Sequence, residues 1–340
     1  MNEKVPGFIR WLTTGAGNVP QINTKLSFAD FLGTCKTRFG IGRMNYMVPS
    51  GLYAIGAPAK DDPVLVTANY KMSYDKVRSV LTGRNVWLLV LETYGINVWC
   101  AAGKGTFSTQ ELVLRRIGLS NLSKVVAHRR LIMPILAAPG VAAHEVKRQT
   151  GFSIRYAAIR AEDLPKYFDN DMMTTAQMKE QTFTFRERAV LIPVELLLAL
   201  KPTAIAVASL FIISALLQGP RYGLMTVCAY LGAVVSGIAI APLLLPWLPG
   251  RSFAFKGFLT GLAWSAAFYL FADGREWNIF ITFAAFLAIP AVSAFYTLNF
   301  TGCTPFTSRS GVKKEMRLAM PVMGIAVILS VIFVLVGKLL

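Results

Sequence analysis

The sequence is poor in acidic residues, in histidine and in cysteine. Asp and Glu total 18 against 35 Lys and Arg, which gives a formal net charge of +17, and there are two histidines. The four cysteines are far apart and form no CxxC pair, so neither a disulfide framework nor a zinc or iron–sulfur site is indicated. Isolated thiols of this kind are typical of reduced cysteines in the cytoplasm. The cysteines are Cys35, Cys100, Cys228 and Cys303.

The basic excess is not arranged as it is in nucleic-acid-binding proteins. Lys and Arg are scattered along the chain without a zinc-finger, RNP or basic-helix pattern, so we expect no nucleic-acid partner. A positive excess is also typical of proteins at an anionic lipid surface. Because 54% of the residues are hydrophobic and the mean hydropathy is +0.50, part of the chain is expected to lie in a lipid bilayer.

Long apolar runs are absent from the first half of the chain and abundant in the second. The composition changes at residues 186–188, which predicts a first domain of residues 1–188 and an all-α transmembrane domain of residues 189–340. The N-terminal segment lacks the apolar stretch of a secretory signal, so we expect the first domain to stay in the cytoplasm. Five transmembrane helices are predicted, at residues 203–218, 222–246, 253–272, 277–298 and 318–337.

The predicted spans carry almost no charge between their ends, which argues against an ion-coupled transporter. Residues 189–200 are apolar but short and include Glu195, so an interfacial or half-inserted helix is expected there. Lys and Arg are more frequent in the loops on the side of the first domain. The positive-inside rule therefore places residues 1–188 on the cytoplasmic side of the inner membrane and the C-terminus outside.

The first domain alternates apolar runs with amphipathic segments, the rhythm of an α/β fold with a parallel sheet covered by helices. Strands are predicted at residues 63–68, 86–93, 131–136 and 153–158, and helices at residues 73–81, 109–117 and 141–150. Ahead of this core, Ser27 and Asp30 predict a capped helix, and residues 51–56 are expected to form a connector at the sheet edge. Ligands of such sheets bind at the carboxyl ends of the strands, which brings Thr67 into the candidate site.

The segment GINVWCAAGKGT at residues 95–106 places a reactive thiol between a large aromatic residue and several small ones. The small residues would let the backbone approach a flat ligand closely, so that the Cys100 sulfur could reach the centre of that ligand. The alternative is that Cys100 is a small buried hydrophobe at the end of a strand. The neighbours concerned are Trp99 before the thiol and Ala101, Ala102, Gly103 and Gly105 after it.

Other catalytic motifs are missing from the first domain. A phosphate-binding loop would need glycine in place of Val98 and a hydroxyl residue in place of Gly105. GxSxG, HExxH and GxGxxG elements are absent, which gives hydrolase, metalloprotease and dinucleotide-binding functions no support. His128 and His144 have no partner pattern, so structural roles are expected for both.

The cysteine segment and its surroundings resemble the mercury-methylating corrinoid protein family known as HgcA. The resemblance rests on NVWCAAGKGTF at residues 97–107, preceded by VPSGLYAIG, PVLVTANYK and VLETYGI, and a membrane tail of five helices is also a feature of that family. The HgcA family is related to the corrinoid iron–sulfur protein of the acetyl-CoA pathway. The resemblance implies a Rossmann-like corrinoid-binding domain.

The resemblance further implies a methyltransferase that carries methyl on cobalt and passes it to mercuric ion. Cys100 corresponds to the lower axial ligand of the corrinoid cobalt. The implied partners are methyltetrahydrofolate or its methyltransferase as methyl donor and a ferredoxin-like protein with two [4Fe–4S] clusters as reductant. The segment beneath the corrin ring comprises Asn97, Val98, Trp99, Ala101, Ala102, Gly103 and Lys104.

Two alternative functions are open at this point. The first is a membrane-anchored corrinoid methyl carrier that serves another acceptor. The second is a membrane metal-binding or transport protein, which would require paired cysteines or ionisable residues inside the spans. The spans offer only Cys228, so transport is the more distant alternative.

Overall fold

The computed structural model describes residues 5–304 and 307–339. The chain divides into two compact units, Met1–Gln181 and Thr182–Leu340. The first unit combines a β-sheet with helices, and the second is helical. A mixed α/β domain followed by a helical, apolar region is what the sequence predicts.

A seven-stranded mixed sheet forms the centre of the first unit, in the order β1-β2-β3-β5-β4-β6-β7. β4, β5, β6 and β7 run parallel to one another, whereas β1 and β2 form an antiparallel hairpin and β3 is antiparallel to β5. The strands are β1 (Phe8–Thr14), β2 (Gly17–Ile22), β3 (Gly51–Ile55), β4 (Val64–Ala68), β5 (Val86–Leu91), β6 (Arg130–Met133) and β7 (Ser153–Tyr156).

The four parallel strands lie where the apolar runs predict them, but the prediction for residues 51–56 is wrong. This segment is not a connector: it forms β3, which pairs with β2 on one side and with β5 on the other. A short apolar run in the sequence does not distinguish a buried strand from a packed loop, because the hydrogen bonds that make it a strand come from strands distant in sequence. The hairpin of β1 and β2 was not predicted either, since its outward-facing residues weaken the apolar signal.

Helices cover both faces of this sheet. They are α1 (Phe28–Arg38), α2 (Lys71–Val80), α3 (Val98–Lys104), α4 (Leu122–Val125), α5 (Ala143–Thr150) and α6 (Leu164–Asp169), with a π-helical segment at Glu111–Ile117. All six residues of β5 are buried. Successive β5 side chains point to opposite faces of the sheet. Trp87 and the residues at alternate positions from it face a core shared with α3, α4 and α5. Leu88 and the residues at alternate positions from it face a core shared with α2 and α6.

A buried ion network fixes α1 against α2. The Arg78 guanidinium is fully buried and pairs with Asp75 and Asp30 at 2.8 Å each, while Lys71 bridges the same two carboxylates. Arg78 also donates to the backbone oxygen of Asn23 at 2.6 Å, which ties down the chain ahead of α1. Two acids and two bases thus neutralise each other in the interior, as buried charges require.

Ser27 begins α1 with the predicted capping box. Its hydroxyl accepts from the Asp30 backbone N–H, and the Asp30 carboxylate accepts from the Ser27 N–H. Burial by itself would raise the pKa of the Asp30 carboxyl, but hydrogen bonds from Lys71 and Ser27 hold that pKa below its ordinary value.

The second unit contains seven helices within the described residues. Four of its helical segments are long and apolar enough to cross a membrane: Phe185–Gln218, Pro220–Leu244, Ile279–Asn299 and Ser310–Leu339. The helices are α7 (Phe185–Ala189), α8 (Ile192–Gln218), α9 (Pro220–Val235), α10 (Ala241–Leu244), α11 (Phe253–Phe271), α12 (Ile279–Asn299) and α13 (Arg309–Leu339), and a π-helical turn at Ser236–Ile240 joins α9 to α10.

The predicted count of five apolar spans is therefore not confirmed. A helix is present at the third predicted position, α11, but Lys256 and several polar residues lower its apolar character. An interfacial or half-inserted helix was expected at residues 189–200. Residues 192–200 belong to α8 and are continuous with the first span, with Pro202 inside the helix. Proline is tolerated there when neighbouring groups satisfy the freed carbonyl.

Small residues bring α11 and α12 close together. A Cβ atom added at Gly261 would lie 2.7 Å from the Pro290 Cα atom, and one at Gly257 would overlap the Thr297 side chain. Thr260 and Ser293 form a hydroxyl contact of 3.3 Å across the same interface. This packing agrees with the small-residue interfaces of membrane helices.

Candidate functional site

An apolar cleft opens at the carboxyl ends of the parallel strands. From β4 the chain continues to β5 on one side, and from β6 it continues to β7 on the other side. The strand order therefore reverses between β4 and β6, and ligands of such sheets bind in the crevice at that point. The cleft has a volume of about 270 Å³. Its lining includes Thr67, Asn97, Val98 and Trp99, four of the residues predicted for the site.

Asn69, directly after β4, holds the loop that leads from β5 into α3. Its buried side-chain oxygen accepts from the Thr93 N–H at 3.1 Å, the Thr93 hydroxyl at 2.8 Å and the Gly95 N–H at 3.2 Å. Its amide group donates to Glu92 at 2.5 Å, and Glu92 also accepts from the Tyr94 N–H. The loop is thereby fixed by side chains from two neighbouring strand ends.

Sequence reasoning missed Asn69 and Glu92. Asn69 directly follows the strand predicted at residues 63–68, and Glu92 lies at the end of the strand predicted at residues 86–93, but neither carries a motif. Their role depends on the adjacency of β4 and β5, which the sequence pattern alone does not fix.

Replacement of Asn69 by leucine is expected to destabilise the first unit and to loosen the start of α3. The substitution leaves the N–H groups of Thr93 and Gly95 without this acceptor, at about 1–3 kcal/mol for each buried group. Thermal unfolding in detergent would measure the loss, with the exposed Asn18→Leu as control. Equal stability of the two variants would contradict this role for Asn69.

The cysteine segment forms a short helix, α3, with defined ends. The Asn97 side chain caps its start by accepting from the Cys100 backbone N–H at 2.9 Å. Gly105 ends the helix in the left-handed conformation at φ 81°, and its N–H donates to the carbonyls of Ala101 and Ala102. The sequence analysis did not predict that these residues form a helix.

Helix α3 divides the predicted site residues between two faces. Ala101 and Ala102 are buried against the sheet, and a Cβ added at Gly140 would lie 3.0 Å from the Ala102 Cα atom. Their small size thus serves a close approach between α3 and the neighbouring loop. The opposite face exposes Trp99, Cys100, Gly103 and Lys104.

The Cys100 thiol is free and exposed, one residue beyond the cleft wall formed by Trp99. It is therefore not the buried strand-end hydrophobe considered above. A Cβ added at Gly103 would meet nothing within 4 Å, so the surface beside the thiol is open. In the part of the chain that the structure describes, no three His, Cys, Asp or Glu side chains gather as a metal-binding group.

Cys35 and His128 also belong to the first unit, but neither lines the cleft. Cys35 is a half-buried free thiol on α1, and Cys228 is on α9 in the second unit. His128 has the structural role expected of it: its Nε2 contacts the Asp62 carbonyl at 2.9 Å and its Nδ1 accepts from the Arg130 N–H. The Cys303 side chain lies outside the described residues.

Comparison with known proteins places this site within a matched region. Residues 39–163 match the family model described as CO dehydrogenase/acetyl-CoA synthase delta subunit. The first unit resembles subunits of that enzyme system. The matched residues cover just over a third of the chain and include Thr67 and the whole of α3.

Curated relatives point in the same direction. The acetyl-CoA decarbonylase/synthase complex subunit gamma of Methanopyrus kandleri is 32% identical over 126 residues, which is 36% of this chain and 27% of the relative. The subunit gamma of Archaeoglobus fulgidus is 38% identical over 110 residues, 31% of this chain and 23% of the relative. The chain thus spans about a quarter of the length of these relatives. The expected relation to acetyl-CoA pathway proteins is confirmed by these matches.

Proposed function

We propose that the first unit binds a corrinoid through α3 and the adjacent cleft and transfers a methyl group from it to mercuric ion. The observation that carries the proposal is the exposed, free Cys100 thiol on the outward face of α3, beside an apolar cleft at the carboxyl edge of the parallel strands. The similarity of residues 39–163 to acetyl-CoA pathway subunits supports it.

The residues present fit a corrinoid of the cobalamin type. A flat macrocycle needs an open surface around the donor atom, and Gly103 leaves such a surface beside the thiol. Cys100 would ligate the cobalt, with Trp99 and Lys104 on the same exposed face. Thr67, Asn97 and Val98 would contact the ligand from the cleft, while Ala101 and Ala102 support the helix from behind.

A bound corrinoid supplies a cobalt atom that can accept and release a methyl group. As a ligand of that cobalt, the Cys100 thiolate would be a strong, soft donor and would raise the electron density available for methyl transfer. An electrophilic acceptor such as mercuric ion requires the methyl group together with its bonding electrons, so a donor of this kind would favour that acceptor. Cys100 must lose its proton to act in this way.

The proposal requires partners. Among the described residues there is no group of three or more His, Cys, Asp or Glu side chains that could hold an iron–sulfur cluster. We propose a two-cluster [4Fe–4S] ferredoxin-like protein as reductant, and methyltetrahydrofolate or its methyltransferase as methyl donor.

A second function is a methyl carrier that serves a different acceptor. It is favoured by the relatives described above, which are subunits of an acetyl-CoA decarbonylase/synthase complex. The thiol and cleft would bind the corrinoid in the same way, and only the acceptor would differ.

Absorption spectra of the purified full chain test corrinoid binding directly. The unmutated protein is expected to carry one corrinoid, with a spectrum that changes when Cys100 is replaced by alanine and does not change in Cys35→Ala. A colourless protein that takes up no cobalamin on reconstitution would refute both corrinoid functions. Supplying the methylated protein with mercuric ion then distinguishes the two acceptors.

We also propose that α11 is a fifth span, so that the first unit lies in the cytoplasm and the C-terminus outside the inner membrane. The helix has 19 residues, near the length that crosses the hydrocarbon core, and basic residues such as Lys313 and Arg317 flank the last span on the side assigned to the cytoplasm. Reporter fusions at the two termini are expected to give opposite locations. Termini on the same side would show that α11 does not cross.

A further inference from the structure

Helix α1 has its polarity reversed relative to an ordinary surface helix of a soluble domain. Its inward face carries Asp30, Gly33 and Thr37: Asp30 and Thr37 are buried, and a Cβ at Gly33 would overlap the Tyr46 ring. Its outward face carries large apolar residues at helical spacing. Phe28 is 73% exposed and Phe31 61% exposed. A soluble domain normally places such residues toward its core.

The exposed apolar surface continues beyond the helix. Phe39, Ile41 and Met44 are 51%, 64% and 69% exposed, in the segment that follows α1. We call α1 together with residues 39–44 the α1 surface. A contiguous apolar surface of this kind marks an interaction site.

The charges around the α1 surface are all of one sign. Lys25, Lys36 and Arg43 are exposed there. Asp30 is the only acidic residue in the described range 23–60, and its carboxylate is turned inward to Lys71 and Arg78. The surface that faces outward is therefore aromatic and basic, with no acidic side chain of its own range to offset the charge.

We propose that the α1 surface docks on the anionic phospholipid headgroups of the membrane in which the second unit is embedded. Aromatic rings enter the boundary between headgroups and acyl chains, and basic side chains near it are attracted to anionic lipid. A second copy of the chain would present the same positive charge and be repelled. Attachment of the second unit to the bilayer keeps the local concentration of lipid high, so a modest affinity suffices. The proposal needs the membrane location of the second unit but not the corrinoid.

Hydrogen exchange of the full chain in nanodiscs tests this docking. Discs of pure phosphatidylcholine are compared with discs of equal parts phosphatidylcholine and phosphatidylglycerol. We expect amides of α1 to exchange about tenfold more slowly in the anionic discs. The amides of α5, which packs on the opposite face of the sheet, should exchange equally in both. The amount of the chain that is incorporated into the discs reports separately on whether the second unit inserts into the bilayer.

Variants separate lipid docking from a change in folding. The double variant Phe28→Ser and Phe31→Ser should remove the protection, and Lys25→Glu with Lys36→Glu should remove its dependence on phosphatidylglycerol. Leu119→Ser, an equally exposed apolar residue outside the α1 surface, serves as control and should change neither. Unchanged exchange of α2 in each variant shows that the ion network is intact.

Two results would overturn the proposal. One is equal exchange of α1 in both kinds of disc. The other is protection in detergent that increases with protein concentration, which would assign the surface to a second copy of the chain.

Discussion

Cys100→Ala is expected to abolish methyl transfer to mercuric ion. Alanine has no donor atom for cobalt, so a bound corrinoid would lose the ligand that Cys100 would supply. Because the Cys100 thiol is free and exposed, alanine removes little packing and the variant should remain folded. The rate of methyl transfer to mercuric ion, measured in single-turnover assays with the methylated protein, should fall by about a hundredfold or more.

Cys100→His separates ligation from reactivity. Imidazole still ligates cobalt but is a weaker electron donor than thiolate, so corrinoid should stay bound while transfer to mercuric ion slows by orders of magnitude. Cys35→Ala is the matched control, since Cys35 lies on α1, away from the cleft. If Cys100→Ala bound corrinoid and methylated mercury at the unmutated rate, the axial-thiolate mechanism would be wrong.

Asp30→Asn is expected to destabilise the first unit by about 3–5 kcal/mol, because it leaves Arg78 and Lys71 buried with one carboxylate between them. The replacement keeps the size of the side chain, so the effect reports charge rather than packing. Thermal or denaturant unfolding in detergent would measure it, with the exposed Asp61→Asn as control. A loss no larger than that of the control would show that the network contributes little.

The same carboxyl predicts a pH dependence with a definite sign. Its pKa is lower in the folded protein than in the unfolded chain, so the stabilisation is complete above the ordinary pKa of aspartate, about 4, and is lost progressively at lower pH. The unmutated protein should therefore lose stability on acidification more steeply than Asp30→Asn. Parallel pH profiles would contradict this assignment.

The apolar periodicity was sufficient to predict the parallel core. β4, β5, β6 and β7 and helix α2 lie within a few residues of the predicted segments, because buried strands and amphipathic helices carry a strong local signal. The capping box at Ser27 likewise marked the start of α1. These features depend on residues close together in the chain.

The features that the sequence did not predict depend on distant residues. β3 is a strand because β2 and β5 pair with it, and Asn69 matters because β5 ends beside β4. The division of α3 into a buried face and an exposed face depends on the approach of Gly140. Each requires knowledge of tertiary neighbours, which spacing along the chain does not contain.

The ion network of α1 and α2 also constrains how the first unit can fold. Asp30 and Arg78 are 48 residues apart in sequence, and closing a loop of that length costs chain entropy before any contact is gained. The Arg78 guanidinium cannot leave water until its acceptors arrive, since an unpaired buried charge is strongly unfavourable. Docking of α1 and burial of Arg78 are therefore expected to occur together, in one cooperative event. In a chain cut between residues 30 and 71, the two parts would first have to associate before Arg78 could be buried against Asp30.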